Sequence, residues 1–358
     1  MNKPLLLTVL FFMQTILNMI YAQDIPAKPT MIREGVFRGI SKPLRDNPPM
    51  SAEQYNAMVE KAKKKAKNTP WEKPTYPFAS TTLPNLPDEV WQKSDGSMTD
   101  MIMAPIANFE GQNSPYYPPD CNGATGPNHY MQTVNTTYAI YSKTGTLLAG
   151  PTNMNLLFGN VTGANNNDGD PIILYDEQAQ RWVAVEFSVS GSNDYMLFAV
   201  STTNDRTGTW YQYSFDVVDM PDYEKIAVWR DGYYMGTNTQ PATGNDIYVF
   251  ERSQMLIGGT ARMVAFDNPY RPGTGVVVVP PVDNDGVAAP VGTPGTFIAF
   301  NDNAVSGGTD QLWLYELAVN WTTPASSTFN RTQQINVAEF DSQFANGWDN
   351  ITQPGTST

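Results

Sequence analysis

The fold of this chain is decided by one stretch, which reads PIILY at 171–175, RWVAVEFS at 181–188, YMLFAVST at 195–202 and WYQYSF at 210–215. β-Branched and aromatic residues fill these short runs, and polar residues with Asn, Asp and Gly lie between them. Such runs favour strands, while the short polar segments favour tight turns. The stretch therefore predicts four strands in one antiparallel meander.

This meander repeats along the chain. A second copy has runs at 225–229, 233–238, 247–252 and 261–266, an earlier copy begins at 129, and a looser copy includes 297–301 and 311–317. An acid precedes each copy, namely Asp120, Asp170, Asp222, and then Asp283 or Asp285. Repeats of about 40–50 residues with four strands each are typical of β-propeller blades. A β-sandwich also uses short strands, but the regular period favours an all-β propeller.

The composition agrees with this fold and argues against several functions. Only 16% of the 358 residues are charged, while Gly and Pro are frequent, which suits short strands joined by turns. The net charge of -13 repels phosphate backbones, so we expect no nucleic-acid partner. A single histidine leaves no His cluster for a metal, and the glycine fingerprints of nucleotide cofactor sites are missing. The lone cysteine, Cys121, is expected to be buried beside a turn.

The chain divides into three regions. Residues 1–22 resemble a signal peptide with a small residue, Ala22, for cleavage; a transmembrane anchor is the alternative, but polar residues interrupt the apolar run. Residues 23–100 are an N-terminal extension with a Pro-rich linker and one helix over 52–67, which Ser51 and Gln54 begin as a capping box. Residues 101–358 form the propeller. We therefore expect a secreted or cell-surface protein without a transmembrane anchor.

The propeller region has blades that start near 120, 170, 222 and 285. From residue 120 to the end there is room for about four or five blades of this period. The tail from Thr352 contains no closing strand, and a ring closes by pairing its edges. We expect the ring to be truncated in this chain.

Three motifs resemble a family of large, secreted β-propeller proteins of Gram-negative bacteria. They read PDCNGATGPNHY at 119–130, DGDPIILYD at 168–176 and DYEK at 222–225, although the family typically has Pro where this chain has Glu224. The family is largely uncharacterised, so the resemblance implies fold and export but no catalytic residues. In addition, TNDRTGTW at 203–210 resembles the Asp-box turn of sialidase-type propellers, in which Asp and Trp fix the hairpin between outer strands.

The acids that precede the blades are candidate catalytic residues. The first strand of each blade lines the central channel of a propeller, so Asp120, Asp170 and Asp222 are expected to gather at one end of it. Two carboxyl groups, one protonated and one ionised, can cleave a glycosidic bond. Asp170 followed by Pro resembles a motif of five-bladed glycoside hydrolases. The alternative is that each Asp stabilises a turn before its strand.

Two loops are candidate calcium sites. Asn166, Asp168 and Asp170 place side-chain oxygens at alternate positions, and Asp283 and Asp285 do the same before Gly286. Alternating oxygen ligands in a Gly-containing loop suit calcium, although such runs are also common in ordinary loops. Calcium is the one cofactor that the sequence suggests.

Two functions follow from these observations. The first is a non-catalytic extracellular module that binds glycan or protein through one face of the propeller. The second is a glycoside hydrolase or lyase that uses the acids at the channel.

Overall fold

The structure is a computed structural model that describes residues 24–68, 105–116, 118–159, 161–189, 193–239, 244–272 and 278–340. The predicted signal peptide, most of the Pro-rich linker and the C-terminal tail lie outside the described residues. The N-terminal part contains β1 (Met31–Glu34), β2 (Val36–Ile40) and α1 (Ala52–Asn68). The described residues from 120 onward form mainly antiparallel strands, as the sequence predicts.

Four sheets follow one another along the chain, and we call them blades 1 to 4. Blade 1 contains β3 (Cys121–Thr125), β4 (His129–Val134), β5 (Thr137–Ser142) and β6 (Leu147–Asn153). After the short helix α2 (Asn155–Phe158), blade 2 contains β7 (Ile172–Asp176), β8 (Arg181–Val189), β9 (Asp194–Ser201) and β10 (Trp210–Val218). Each strand pairs with the next in an antiparallel meander.

Blades 3 and 4 continue the pattern. Blade 3 contains β11 (Lys225–Val228), β12 (Tyr233–Gly236), β13 (Ile247–Phe250), the short helix α3 (Arg252–Met255) and β14 (Arg262–Phe266). Blade 4 contains β15 (Gly295–Asn301), the short helix α4 (Asn303–Ser306), β16 (Gln311–Ala318) and β17 (Thr328–Asn336). The predicted four-stranded blades are thus confirmed for copies 1 to 3.

Apolar side chains from successive blades form the core. Phe198 of blade 2 packs against Phe250 of blade 3, with ring centroids 4.4 Å apart, and Phe297 of blade 4 packs edge-on against Tyr234 of blade 3. Between blades 1 and 2, Trp182 and Trp210 are buried in a shared cluster. Each such side chain contributes about 1.5–3 kcal/mol when it leaves water. This inter-blade burial fixes how the first strands of the blades face one another.

The predicted Asp-box turn is present between β9 and β10. The Asp205 carboxylate accepts hydrogen bonds from the backbone N–H and hydroxyl of Thr207, at 3.0 and 2.7 Å. The Trp210 indole is fully buried and donates to the Arg206 carbonyl at 2.9 Å. The motif therefore has a structural role, fixing the hairpin at the outer edge of blade 2.

The N-terminal extension differs from the expectation of an irregular segment with one helix. Residues 24–50, which we call the strap, add to the outer strands of the blades in reverse order. Ala27 pairs with Phe329 of blade 4, β1 with β14 of blade 3 and β2 with β10 of blade 2. The Met50 N–H then donates to the Pro151 carbonyl of blade 1 at 2.8 Å. The strap thereby supplies backbone partners to strands that would otherwise be open edges.

The predicted helix follows the strap. The Ser51 N–H donates to Gln54 Oε1 at 2.8 Å, and the Gln54 N–H donates to Ser51 Oγ at 3.1 Å, so the predicted capping box is present. Most described side chains of α1 are exposed, although Ala62 is buried. No helix among the described residues is long and apolar enough to cross a membrane.

Two sequence expectations are wrong. Cys121 is exposed at the start of β3 rather than buried, because the first position of that strand lies outside the inter-blade core. The acid expected before blade 4 is also displaced. Pro281 pairs with Phe297, and the carbonyl of Pro280 accepts from the Ile298 N–H at 3.1 Å. The inner strand of blade 4 thus precedes Asp283 instead of following it.

Candidate active site

Asp120, Asp170 and Asp222 lie one, two and three residues before β3, β7 and β11, the inner strands of blades 1 to 3. Because β7 contacts both β3 and β11, the starts of these strands are neighbours. We call this the acidic end of the inner strands, and the opposite end the far end. The structure therefore brings together three acids that are about fifty residues apart in sequence.

The backbone at the acidic end is strained in each blade. Asp120 and Asp170 have φ values of 46° and 52°, and Tyr223, next to Asp222, has a φ of 53°. Residues other than Gly rarely adopt this left-handed region, although Asp tolerates it better than Tyr. Such conformations persist where the surroundings impose them, and they cluster at functional sites. The repeated strain marks equivalent positions in three blades.

The carboxyl group of Asp120 lies within hydrogen-bonding reach of the carboxyl group of Asp170. A hydrogen bond between them requires a proton on one of the two groups, since two carboxylates cannot donate. Burial raises the pKa of Asp170 to about 6, and the charge and hydrogen bond of Asp120 and the charge of Asp222 add to the rise, while Lys225 opposes it. Asp170 therefore retains its proton to a higher pH than an ordinary aspartate, up to about pH 6.

Side chains from blade 1 hold this pair in place. The Asn135 amide donates to Asp120 Oδ2 at 3.2 Å, and the Thr133 hydroxyl donates to the Pro171 carbonyl at 3.3 Å. Gly169 lies between the blades with φ 116°, and a Cβ there would come within 2.5 Å of Asn135 Oδ1. Only glycine therefore allows the loop of Asp170 to approach Asn135 this closely.

Two buried acids that the sequence analysis missed lie next to Asp170. The Glu186 carboxyl accepts from the Gly169 N–H at 3.0 Å, while its other oxygen and both oxygens of Glu224 have no hydrogen-bond partner. Burial raises the pKa of both groups well above the usual range, and the charge of Asp170 raises it further. Both carboxyls therefore ionise less readily than an exposed glutamate.

A signal for Glu186 was present in the sequence. It is the one acid inside RWVAVEFSV, an otherwise apolar strand, and a charged residue in such a run requires a special environment. Glu224 had a weaker signal, because it stands where the resembling family has Pro. No local pattern indicates its burial.

Lys225 is the cation nearest to these acids. Its ammonium donates to the carbonyls of Glu224 at 2.9 Å and Tyr223 at 3.5 Å, and it lies 3.6 Å from the centroid of the Tyr223 ring. Burial lowers the pKa of Lys225, and the charges of the four acids Glu224, Asp170, Asp222 and Asp120 oppose this. The acidic end thus contains more carboxyl groups than positive charges.

The remaining predicted residues are placed elsewhere or in structural contacts. Asp283 lies at the far end, where its carboxylate accepts from the N–H of Val228, the last residue of β11, at 2.6 Å. Asp285 adjoins Asp283 in the same loop. These two acids therefore do not join Asp120, Asp170 and Asp222.

The first calcium loop adjoins the acidic end. The Asn166 amide donates to the Val189 carbonyl at 2.9 Å, and Asp168 Oδ2 accepts from the Val189 N–H at 2.8 Å. Within the described ranges, no group of three or more His, Cys, Asp or Glu side chains is arranged to hold a metal ion. Calcium at either loop stays a prediction.

The arrangement is suited to acid–base chemistry. It combines two adjacent carboxyls, of which Asp170 has a raised pKa, a third acid from the next blade and two buried carboxyls whose pKa values are also raised. Groups with pKa values pushed apart by their surroundings can donate and accept protons near neutral pH.

No protein-family model matches the sequence, and no curated protein is detectably similar to it. Solved structures with some likeness are glycoside hydrolases. One from Parabacteroides distasonis is 9% identical over 61% of this chain and 72% of its own, with a TM-score of 0.31. A β-fructofuranosidase from Bombyx mori is 13% identical over 60% and 50%, also with 0.31.

An exo-β-1,3-galactanase from Phanerochaete chrysosporium is 9% identical over 59% of each chain, with a TM-score of 0.29. This chain therefore matches less than two thirds of the length of two of these three proteins. Likenesses this weak carry no argument, and the fold and the site rest on the structure itself.

Proposed function

We propose that this protein cleaves glycosidic bonds, with Asp120, Asp170 and Asp222 as the catalytic carboxyls. The observation that carries the proposal is that acids from three blades approach one another, so that Asp120 and Asp222 both raise the pKa of Asp170. A carboxyl group that merely caps its own turn has no need of an acid from another blade, and crowding of carboxyls destabilises the folded chain.

The geometry suggests a division of roles. Asp170, whose pKa is raised to about 6 beside Asp120, would donate its proton to the leaving oxygen of the glycosidic bond. Asp222 would act as the ionised partner, either activating a water or attacking the sugar carbon. Burial raises the pKa of the adjacent Glu224, and this limits the negative charge that the site accumulates.

Binding without cleavage is the second candidate. It is favoured by the exposed ring of Tyr223, which adjoins Asp222 and offers an apolar surface to a ligand. For both candidate functions, the proposed ligand is an extracellular glycan. An extracellular protein is the alternative ligand, which binding assays would identify.

We also propose that the protein is exported, and N-terminal sequencing of material secreted by the native host would test cleavage after Ala22.

The test is an assay of the purified protein on a panel of plant, fungal and bacterial polysaccharides, with release of reducing ends as the readout. Asp170→Asn should lower the rate about 10²–10⁴-fold, the range for loss of a general acid or base. Asp285→Asn at the far end is the matched control and should leave the rate unchanged. Equal rates for Asp170→Asn and the parent would contradict the catalytic role, and binding without cleavage would favour the second candidate.

A further inference from the structure

Tyr223 presents an aromatic ring to solvent at the acidic end. Its side chain is 55% exposed, although it lies between the half-buried Asp222 and the buried Glu224. No other aromatic ring of the described residues packs against it. An exposed, unpacked tyrosine is unremarkable alone, so the argument depends on what holds the ring in place.

Lys225 holds this ring from one side. The ammonium lies 3.6 Å from the ring centroid and is itself anchored by the carbonyls of Glu224 and Tyr223. A cation over an aromatic face is attracted by the ring quadrupole, and partial burial of the ammonium strengthens this attraction. Lys225 therefore covers one face of the ring, and the other face is the one exposed to solvent.

The backbone at Tyr223 also restricts the position of the ring. Tyr223 has a φ of 53°, which is unfavourable for a bulky residue and is maintained only by its surroundings. The carbonyl of the preceding Asp222 accepts from the Asn238 N–H at 2.8 Å, which attaches this turn to the strand β12 region. The ring is thus preorganised, and preorganisation lowers the entropic cost of binding.

We propose that the ring of Tyr223, clamped by Lys225, is a stacking platform for a pyranose ring next to Asp222. Sugars present an apolar C–H face on which aromatic side chains pack, while their hydroxyl groups face hydrogen-bond acceptors. Here the acceptors are the carboxyls of Asp222 and Asp170, which lie within electrostatic range of the clamping ammonium. The excess of carboxyls over cations favours neutral or amino sugars over uronic acids. This inference adds a binding subsite to the proposed function and rests on it for the glycan class.

Binding is measured separately from cleavage. In an Asp170→Asn background, which prevents turnover, isothermal titration is performed with neutral xylo-, cello-, manno- and laminari-hexaose. Tyr223→Phe, which keeps the ring, should retain affinity for the hexaose that binds, whereas Tyr223→Ala should weaken it about tenfold or more. Lys225→Met should cause a smaller loss, because the ring remains but its clamp is removed.

Tyr55→Ala is the matched control, since Tyr55 is an exposed tyrosine on α1, and it should change neither affinity nor melting temperature. Equal affinities for Tyr223→Ala and the Asp170→Asn parent would overturn the platform, and so would the absence of binding to every hexaose at millimolar concentration. Ring-dependent binding in a protein that cleaves no polysaccharide would refute the catalytic proposal and leave the platform intact. Cleavage that requires Asp170, without binding that depends on the Tyr223 ring, would refute the platform and leave the catalytic proposal intact.

Discussion

Two aspartates at opposite ends of the same strand, Asp170 before β7 and Asp176 at its end, differ in almost every physical respect. Asp176 is fully buried, and Arg252 binds it with two hydrogen bonds of 2.6 and 2.8 Å. Tyr233 adds a third bond at 3.2 Å. Asp170 is only partly buried, and its neighbours are other acids.

The difference shows how surroundings assign a role to a side chain. Asp176 has a charge partner and enough donors, so it stabilises the contact between blades 2 and 3. Asp170 is crowded by Asp120 and Asp222 and has Lys225 as the one opposing charge among its principal influences. Such an arrangement costs stability and leaves a proton available for chemistry. The comparison therefore predicts opposite effects for the same substitution at the two positions.

The largest effect is expected at the far end. Asp176→Asn leaves the Arg252 guanidinium buried without its counter-charge, so the free energy of unfolding should fall by about 3–5 kcal/mol. Urea unfolding at pH 7 measures it, with Asp46→Asn, an exposed aspartate of the strap, as the control. A loss below about 1 kcal/mol, the size of a surface pair, would remove the contrast between the two aspartates.

A smaller loss is expected from the tyrosine that donates to Asp176. Tyr233→Phe deletes one hydrogen bond to a charged group, so it should cost about 1.5–3 kcal/mol. Tyr248→Phe is the matched control, because its hydroxyl donates to a neutral carbonyl, that of Asn245, and should cost about 1 kcal/mol. A larger loss in the control would mean that charge on Asp176 contributes little.

At the acidic end, replacing Asp by Asn should raise the free energy of unfolding at pH 7 instead of lowering it. The pKa of Asp170 is raised to about 6 in the folded chain, from 3.8, so the folded state binds more protons than the unfolded state between these values. This group therefore lowers stability as pH rises from about 4 to 6. Asp170→Asn should be more stable than the parent at pH 7, and the gain should vanish near pH 4. A destabilised variant at pH 7 would indicate a structural role.

The smallest effect concerns calcium. If calcium occupies one of the two predicted loops, a chelator should lower the melting temperature by a few degrees. Asp168→Asn would abolish that response for the first loop, and Asp285→Asn for the second. A melting temperature indifferent to chelator would refute calcium at both.

Much of the fold was predictable because it is local. Strand runs such as RWVAVEFS and turns such as the Asp box carry their structure in neighbouring residues, and the repeat then places Asp120, Asp170 and Asp222 near the starts of three successive blades. Their meeting follows from the period alone. The catalytic role given to them stays a prediction.

The missed features depend on contacts far apart in sequence. The strap binds the blades through backbone hydrogen bonds, which leave no side-chain pattern, so β1 and β2 could not be assigned to blades 3 and 2. The position of Asp283 relative to blade 4 was mispredicted because the inner strand of that blade is too short to show alternating apolar and polar residues. Tyr223 became a candidate binding residue only because the Lys225 ammonium covers one face of its ring.

The central claim, that burial and neighbouring acids raise the pKa of Asp170 to about 6, is tested most directly by carboxyl carbon NMR of the protein labelled at aspartate. Asp170→Asn identifies the Asp170 signal. The account predicts a midpoint near 6 for Asp170 with a coupled change at Asp120, and a higher midpoint in Lys225→Met. A simple titration of Asp170 below pH 4, unaffected by Lys225→Met, would contradict it.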